Sequence, residues 1–378
     1  MEERIYLFNP DNDLALAHGG GHYVSPPFAR KMQADLCVLP MWYAQPQSCV
    51  VVENEQMRGW VDDVSRQYQL QVKGILREEL SERDAASFCP WGWSGTIKRR
   101  LMKNGVSSRL LPSDEWLAQV RLLAHRRSSI AVHQFLRRHC SLPFSPVPVE
   151  YADVAEVLRF AMAHRGCYVK MPWSGSGQGV YHAIEPQTRE FEQWCRGAIR
   201  RQQSLLCEPG LQRVMDFAME FECFAGQSKF LGYSVFESDF HSQYQCGIVA
   251  REEELLRLIC EKYPQFQQVA PLVKCAVDQL FAPHYQGYLG IDMLLFNHQG
   301  SIQLNPCVEV NVRATMGLVT AQVGHRLLQG DKKGKFRISF SKNAIHEMRP
   351  NRFYLTPIFP NTQYCAYIDW DEKVLSIA

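Results

Sequence analysis

Two neighbouring stretches decide how this chain is read. The first is Gly290-Ile291-Asp292-Met293-Leu294-Leu295-Phe296; the second, after a turn at Gly300, is Gln303-Leu304-Asn305-Pro306-Cys307-Val308-Glu309-Val310-Asn311-Val312-Arg313. Asp292 closes one apolar strand pattern, and Glu309, Asn311 and Arg313 follow at alternate positions of a second. Alternate residues of an extended chain share a face. One acid can therefore meet a Glu, an Asn and an Arg aligned on the neighbouring strand. Hard oxygen ligands suit Mg²⁺, and a guanidinium suits phosphate. Two carboxylates held together repel unless a cation sits between them. An acid–amide–guanidinium row is also an uncommon way to decorate a solvent edge. The pattern implies a nucleotide-phosphate site and an ATP-dependent enzyme.

Working upstream, Val169-Lys170-Met171-Pro172-Trp173-Ser174-Gly175-Ser176-Gly177-Gln178-Gly179 places a lysine at a strand end before alternating glycines. Glycine lets backbone N–H groups approach a polyanion closely, and successive N–H groups can cradle it. No Lys-Ser/Thr pair opens a helix after the glycines, so this is not a Walker loop. A mobile Gly/Ser hairpin with a surface lysine is the bland alternative. Further on, the apolar run Leu205-Leu206-Cys207 stops at Glu208-Pro209. Such a hinge can offer backbone groups to an adenine edge, while Asp216 or Glu220 could take ribose hydroxyls. The plain alternative is that these acids are solvated strand ends.

In this order and at these separations the three constellations resemble the ATP-grasp superfamily, of carboxylate-amine ligase type. The match covers about 126–317. The resemblance implies a Gly-rich loop (Ser174, Gly175, Ser176, Gly177, Gly179) over the triphosphate, with Lys170 on phosphate. It implies Glu208 beside adenine and Asp216, in preference to Glu220, on the ribose. It implies Asp292 and Glu309 as metal acids, Asn311 as the amide ligand, and Arg313 against the transferring phosphoryl group. A further basic residue early in the small subdomain would be Arg126 or Arg127, although the local pattern departs from the family's common Asp-Lys form. The implied cofactors are ATP and Mg²⁺, with Mn²⁺ as a substitute. The implied reaction activates a small-molecule or peptide carboxylate as an acyl-phosphate for attack by an amine. Two alternatives stay open: a kinase acting on a small-molecule hydroxyl, and a nucleotide-binding module without turnover.

The expected fold is α/β, with α+β character in the catalytic part. An N-terminal α/β domain (1–112) precedes a small subdomain with the Gly-rich loop (113–203), a large subdomain with the metal site (204–330) and a strand-rich tail (331–378). At the end of the first strand, Asn9–Asp13 would sit where open α/β sheets bind ligands. His18-Gly19-Gly20-Gly21-His22 and Pro90-Trp91-Gly92-Trp93-Ser94 point weakly to the same substrate face. Short apolar runs at Arg4–Phe8, Leu36–Leu39, Val50–Val52 and Gln69–Lys73 are read as strands. Helices are expected at 113–125, 128–139, 153–164, 189–201, 251–263 and 271–281, with Pro271 in the first turn of the last.

The bulk numbers bound the rest. At 378 residues the chain exceeds one compact core. A net charge of +2 gives no global pull toward nucleic acid or an anionic membrane. The basic cluster Lys98-Arg99-Arg100 reads as a solvated helix face. No apolar run is long enough for a membrane helix, and the start is not a secretory signal. The 13 cysteines are scattered without a Cys-x-x-Cys pair, so neither a disulfide framework nor a zinc site is expected and a reducing cytoplasm fits. Oligomeric state is not readable.

Overall fold

A computed structural model describes residues 3–20, 22–83, 86–175, 179–239, 244–328, 332–342, 344, 349 and 352–370. The N-terminal unit carries β1 (Arg4–Leu7), α1 (Asn12–His18), α2 (Pro27–Leu36), β2 (Ser48–Val52), α3 (Glu55–Gln67), β3 (Val72–Leu76), β4 (Ser87–Pro90) and α4 (Gly95–Lys103). Its four strands form a parallel sheet in the order β3-β2-β1-β4. The chain moves outward from β1 to β3 and then returns to the other side of β1. The carboxyl ends of β1 and β4 therefore flank a topological switch point, the usual ligand crevice of such sheets.

The apolar run Leu36–Leu39 is not a strand: it ends α2 and enters a 3₁₀ turn over Leu39–Trp42. Leu36, Val38, Leu39 and Trp42 are all fully buried. A segment enclosed on every side shows no period, so its apolar run cannot distinguish strand from helix. The strand expected at Gln69–Lys73 begins three residues later, as β3.

Two helices, α5 (Asp114–Leu123) and α6 (Ser128–His139), lead into the middle of the chain. Ser113 caps α5 by accepting from the Trp116 amide at 3.1 Å. A small antiparallel unit follows: β5 (Val149–Tyr151), α7 (Val154–Ala163), β6 (Cys167–Lys170), β7 (Val180–Ala183), α8 (Arg189–Gln202) and β8 (Leu205–Glu208), with strand order β5-β8-β6-β7. It packs around its own core of Val157, Val169, Phe191, Cys195 and Leu205.

The large sheet comprises β9 (Gln212–Phe224), β10 (Gln227–Ser238), β11 (Tyr244–Val249), β12 (Gly287–His298), β13 (Ser301–Asn311), β14 (Gly334–Phe340), β15 (Arg352–Tyr354) and β16 (Tyr364–Trp370). Their order is β13-β12-β9-β10-β11-β14-β16-β15, all antiparallel. Helices α9 (Glu252–Lys262), α10 (Phe266–Leu280) and α11 (Met316–Leu327) complete the described residues. Pro271 lies inside α10, not in its first turn, because Phe266, Val269 and Ala270 already bury an apolar face before it. The tail strands extend this sheet and are tied back to the N-terminal unit. Trp42 Nε1 donates to the Leu355 carbonyl at 2.7 Å, and Asp35 Oδ2 accepts from the amides of Gln363 (2.9 Å) and Tyr364 (3.0 Å). One continuous core joins Ile5, Phe88 and Trp93 of the N-terminal unit to Phe217, Phe221 and Ile291 of the large sheet.

Candidate active site

The row of acids and amide is built by strand register. Asp292 is paired directly with Glu309 across β12 and β13, and Gly290 with Asn311. Asp292 does not close its strand; six further residues follow it to His298. Its neighbour on the other side, β9, aligns Asp216 with Leu294, Ala218 with Asp292 and Glu220 with Gly290. Asp216, Asp292, Glu309 and Asn311 thus share one face. Between Leu294 and Asp292 the register to β13 slips from Asn305 to Glu309. The extra residues, including Pro306, form a bulge that re-aims Glu309. The Asn305-Pro306 pair is the sequence signal of that bulge.

The electrostatics follow from this crowding. Asn311 Nδ2 donates to Asp292 Oδ2 at 3.0 Å. Burial, and then repulsion from Glu309, push the Asp292 carboxyl up to about 7. A recessed carboxylate whose charge is disfavoured beside a second acid suits a divalent cation. Among the described residues no cluster of three His, Cys, Asp or Glu side chains could hold a metal alone. Two carboxylates and one amide would leave further positions for phosphate oxygens and water, the way Mg²⁺ binds beside a nucleotide.

Cations ring the row. Arg126 is 6 % exposed and its guanidinium reaches Glu309 Oε2 at 2.9 Å. The same side chain donates to the Met171 carbonyl at 3.0 Å and to Ser174 Oγ at 3.0 Å. Arg127 instead points to Glu150 at the surface. Of the two early arginines, Arg126 is therefore the one in the site. Lys170, at the end of β6, forms an ion pair with Glu208, at the end of β8. Its strand position is the one the sequence implied, but its partner here is the hinge acid.

Glu208, Lys170, Asp216, Asp292 and Glu309 line a single cleft together with the apolar residues Leu211, Phe236 and Leu294. Burial pushes the Asp216 carboxyl up from its ordinary value, against which Arg213 at 3.2 Å works. Glu220 is not a ribose ligand. By register it lies on the same face as Asp292, but it is only 2 % exposed there, and Thr315 Oγ1 (2.8 Å) and Ser234 Oγ (3.2 Å) donate to it. Burial, then Asp292, lift its carboxyl to about 8.

Arg313 lies past the end of β13, so it does not continue the row of Glu309 and Asn311. It forks onto Asp13 of α1, Nε at 3.0 and 2.9 Å and Nη2 at 2.8 Å. Burial opposes its charge, but Asp13, joined by Glu309 and Asp292, outweighs it and holds the guanidinium protonated. Asp13 also touches the loop: a Cβ built on Gly175 would lie 2.5 Å from its Oδ2. The Gly-rich loop is closed at its base by the Met171 amide donating to the Gly179 carbonyl at 2.8 Å. Gly179 has φ +74°, which favours glycine. Ser174 and Gly175 stand at the loop's entry; Ser176 and Gly177 lie outside the described residues. Trp173 pins that entry through a pair of hydrogen bonds with Gln202 (2.8 and 3.0 Å) and stacks under Arg121, 3.7 Å from the ring centre. Sequence reasoning singled out neither Asp13 as an arginine partner nor Gln202 and Arg121 as loop anchors, since none sits in a recognisable spacing.

No protein-family model matches the chain, and no curated protein matches it significantly. Solved structures do. The biotin carboxylase domain of 2-oxoglutarate carboxylase from Hydrogenobacter thermophilus, in complex with MgADP, ADP and bicarbonate, is similar at TM-score 0.52 and 13% identity, over 98% of this chain and 86% of that one. Biotin carboxylase from Campylobacter jejuni, as a β-γ-ATP complex, gives 0.54 and 11% over 98% and 88%. N5-carboxyaminoimidazole synthetase from Staphylococcus aureus, complexed with ADP, gives 0.52 and 11% over 99% and 95%. The chain has the ATP-grasp fold. The N-terminal parallel sheet, the small antiparallel unit and the large sheet are thus parts of one architecture shared nearly end to end. No helix among the described residues is long and apolar enough to cross a membrane.

Proposed function

We propose that this chain is an ATP-dependent ligase that joins a carboxylate to an amine. The observation that carries the reading is the direct pairing of Asp292 with Glu309, with Asn311 on the same face, in a cleft ringed by Arg126 and Lys170 with Arg313 beside it. Similar structures hold MgADP, ADP or an ATP analogue, and one also holds bicarbonate, a small carboxylate. The division at about 112, 203 and 330 belongs to this proposal; the separate N-terminal sheet supports the first boundary, whereas β8 still completes the small sheet beyond 203 and β14 to β16 continue the large sheet beyond 330.

In this reading Asp292, Glu309 and Asn311 would hold Mg²⁺, which would supply positive charge to offset that of the nucleotide phosphates. Lys170, released from Glu208, and the loop backbone contact the phosphate oxygens. Leu211, Phe236 and Leu294 enclose the base, with Glu208 near its edge and Asp216 toward the ribose. A carboxylate oxygen of the substrate attacks the γ-phosphorus, and the bond to the ADP oxygen breaks. The amine then attacks the acyl carbon, phosphate leaves, and the amine proton passes to solvent. Phosphoryl transfer asks the protein for positioning and charge stabilisation, so no enzyme nucleophile is needed. Closing the loop over the site would keep water from the acyl-phosphate.

The test is ADP release with Mg²⁺ across paired carboxylates and amines, with hydroxylamine added to trap the activated acyl group. A hydroxamate together with amine-dependent ADP release is the expected result. ADP release with a phosphorylated hydroxyl and no hydroxamate would replace the ligase by a kinase. Nucleotide binding without turnover on any pair would leave a binding module.

A further inference from the structure

The crevice at the topological switch point has features that the nucleotide reading does not use. A cavity of about 710 Å³ lies between the end of α1, the N-terminus of α4 and the side of α5. Gly19, Ser94, Gly95, Lys98, Arg99 and Arg121 are among its lining residues. Three of those six are cations. The acid in the lining, Asp114, is already engaged by Lys98 at 2.6 Å. The Lys98-Arg99-Arg100 cluster is therefore not a uniformly solvated face. Arg100 turns to Asp11 (3.0 Å) and Ser25, while Lys98 and Arg99 border the cavity.

The N-terminus of α4 is also uncapped. Ser94 stands at the cap position but makes no side-chain capping bond. The first helical amide with an acceptor is that of Lys98, which donates to the Ser94 carbonyl at 3.2 Å. The Gly95, Thr96 and Ile97 amides find no acceptor among the described residues. Ser94 itself is 3 % exposed and borders the cavity, with no hydrogen bond from its hydroxyl to the described residues. Beside this, Asn12 is 1 % exposed, and both polar atoms of its carboxamide lack a partner. Asn12 lies against Gly92, two residues before Ser94, and Gly92 is held across the switch point by Asn9 (2.8 and 3.3 Å). Asn12 lies behind the cavity wall and not in its lining; of the unpaired side chains here it is Ser94 that borders the cavity, and a buried polar group left unpaired calls for a partner.

We infer that this cavity seats an anionic group, a phosphate or a carboxylate, carried by the substrate at a point away from the reacting carboxylate. This rests on the ligase reading for its role, and it narrows the acceptor to a molecule with a second negative group. Free amides at a helix start, an unused hydroxyl and two arginines form a set of donors for such oxygens. The cavity reaches the reaction site through Arg121. That residue donates to the Leu16 carbonyl at 2.8 Å on α1 and covers Trp173 at the entry of the Gly-rich loop. Asp13, one turn before Leu16, holds Arg313.

The experiment is an amide NMR titration of the full chain with inorganic phosphate in one arm and succinate in the other, alongside a Mg-ADP titration. The expected result is a shift of the Gly95, Thr96 and Ile97 amides by at least one anion. Arg99→Glu should weaken that binding tenfold or more while Mg-ADP affinity stays as in wild type. The arm that binds more tightly tells phosphate from carboxylate. Ser94→Ala is the second variant. Because Ser94 makes no capping bond, it should fold normally and still weaken the anion. Unmoved amides in wild type, or titrations unchanged by both variants, would overturn the assignment. Anion shifts confined to the cleft that Mg-ADP occupies would overturn it as well. Failure of Mg-ADP to bind while the amides respond would refute the nucleotide reading and leave the anion seat standing.

Discussion

Arg313 and Asp13 stand 300 positions apart in sequence and meet as a forked ion pair, with three contacts between 2.8 and 3.0 Å. The pair joins the end of the metal strand to the first helix of the N-terminal unit. It fixes the guanidinium beside the cleft, and a bidentate carboxylate sets its plane. Removing Asp13 frees Arg313 to rotate. Asp13→Ala is expected to lower Mg-ATP turnover by at least tenfold, about 1.4 kcal/mol of transition-state stabilisation, with a smaller change in nucleotide affinity. Steady-state ADP release beside calorimetric ATP binding checks this; equal losses in both would show that Asp13 serves the fold alone.

Asp292 is raised to about 7 in the metal-free protein. Its folded value lies above the unfolded one, so its contribution favours folding at low pH and is lost as pH rises from about 4 to about 7. Asp292→Asn removes that ionisation and the repulsion from Glu309. Since Asp292 retains some access to the cleft, the gain at pH 7 should be about 1–2 kcal/mol in the absence of metal. The same variant should lose stabilisation by Mg-ADP and all ADP release. Thermal melts with and without Mg-ADP measure both halves, and a less stable metal-free variant would contradict the argument.

Lys170 is 7 % exposed and paired with Glu208. Lys170→Ala removes the point charge offered to the phosphates and strands a carboxylate. Nucleotide affinity should fall by about 10–100-fold, or about 1.4–2.8 kcal/mol. The double variant Lys170→Ala/Glu208→Gln should recover part of the lost stability and none of the affinity. Calorimetry showing unchanged affinity for Mg-ATP in the single variant would remove Lys170 from the phosphate site.

His133 on α6 is fully buried, and its Nε2 lies 3.1 Å from Asn305 Oδ1 and 3.2 Å from the Cys307 carbonyl. With Nε2–H donating to both, Nδ1 has no partner. Burial, with Arg137 nearby, depresses it to about 4. Its folded value lies below the unfolded one, so its contribution is complete above pH 6.5 and is lost as pH falls toward 4. That contribution is on the order of 3 kcal/mol. Urea midpoints at pH 7 and pH 4.5 should therefore converge in His133→Gln relative to wild type. Equal pH dependence in the two proteins would show that His133 does not control this window.

The sequence displayed the acid–amide row because strand period and residue type coincide there: Asp292, Glu309 and Asn311 lie on one face, as their alternation required. Helices α5 to α8 were readable for a similar reason, each having one buried side and one wet side. Arg313 shows where that logic ends. It keeps the alternation, yet it lies past the strand and answers to Asp13, which no local spacing connects to it. Arg126 was seen only as one of two adjacent arginines, since which of them turns inward depends on Met171, Ser174 and Glu309. Pro271 and the Leu36–Leu39 run misled the reading because surrounding apolar contacts, not local preference, set the helix there.

The distribution of cores also bears on how the proposed ligase would work. The first parallel sheet and the broad antiparallel sheet are fused by shared apolar packing, whereas the unit from β5 to β8 keeps a separate interior. A seam of that kind lets one part swing while the remainder stays rigid. Opening for exchange of ADP would then be the work of a single hinged flap bearing Lys170 and the glycine loop, with the cation ligands and Arg313 as its stationary floor.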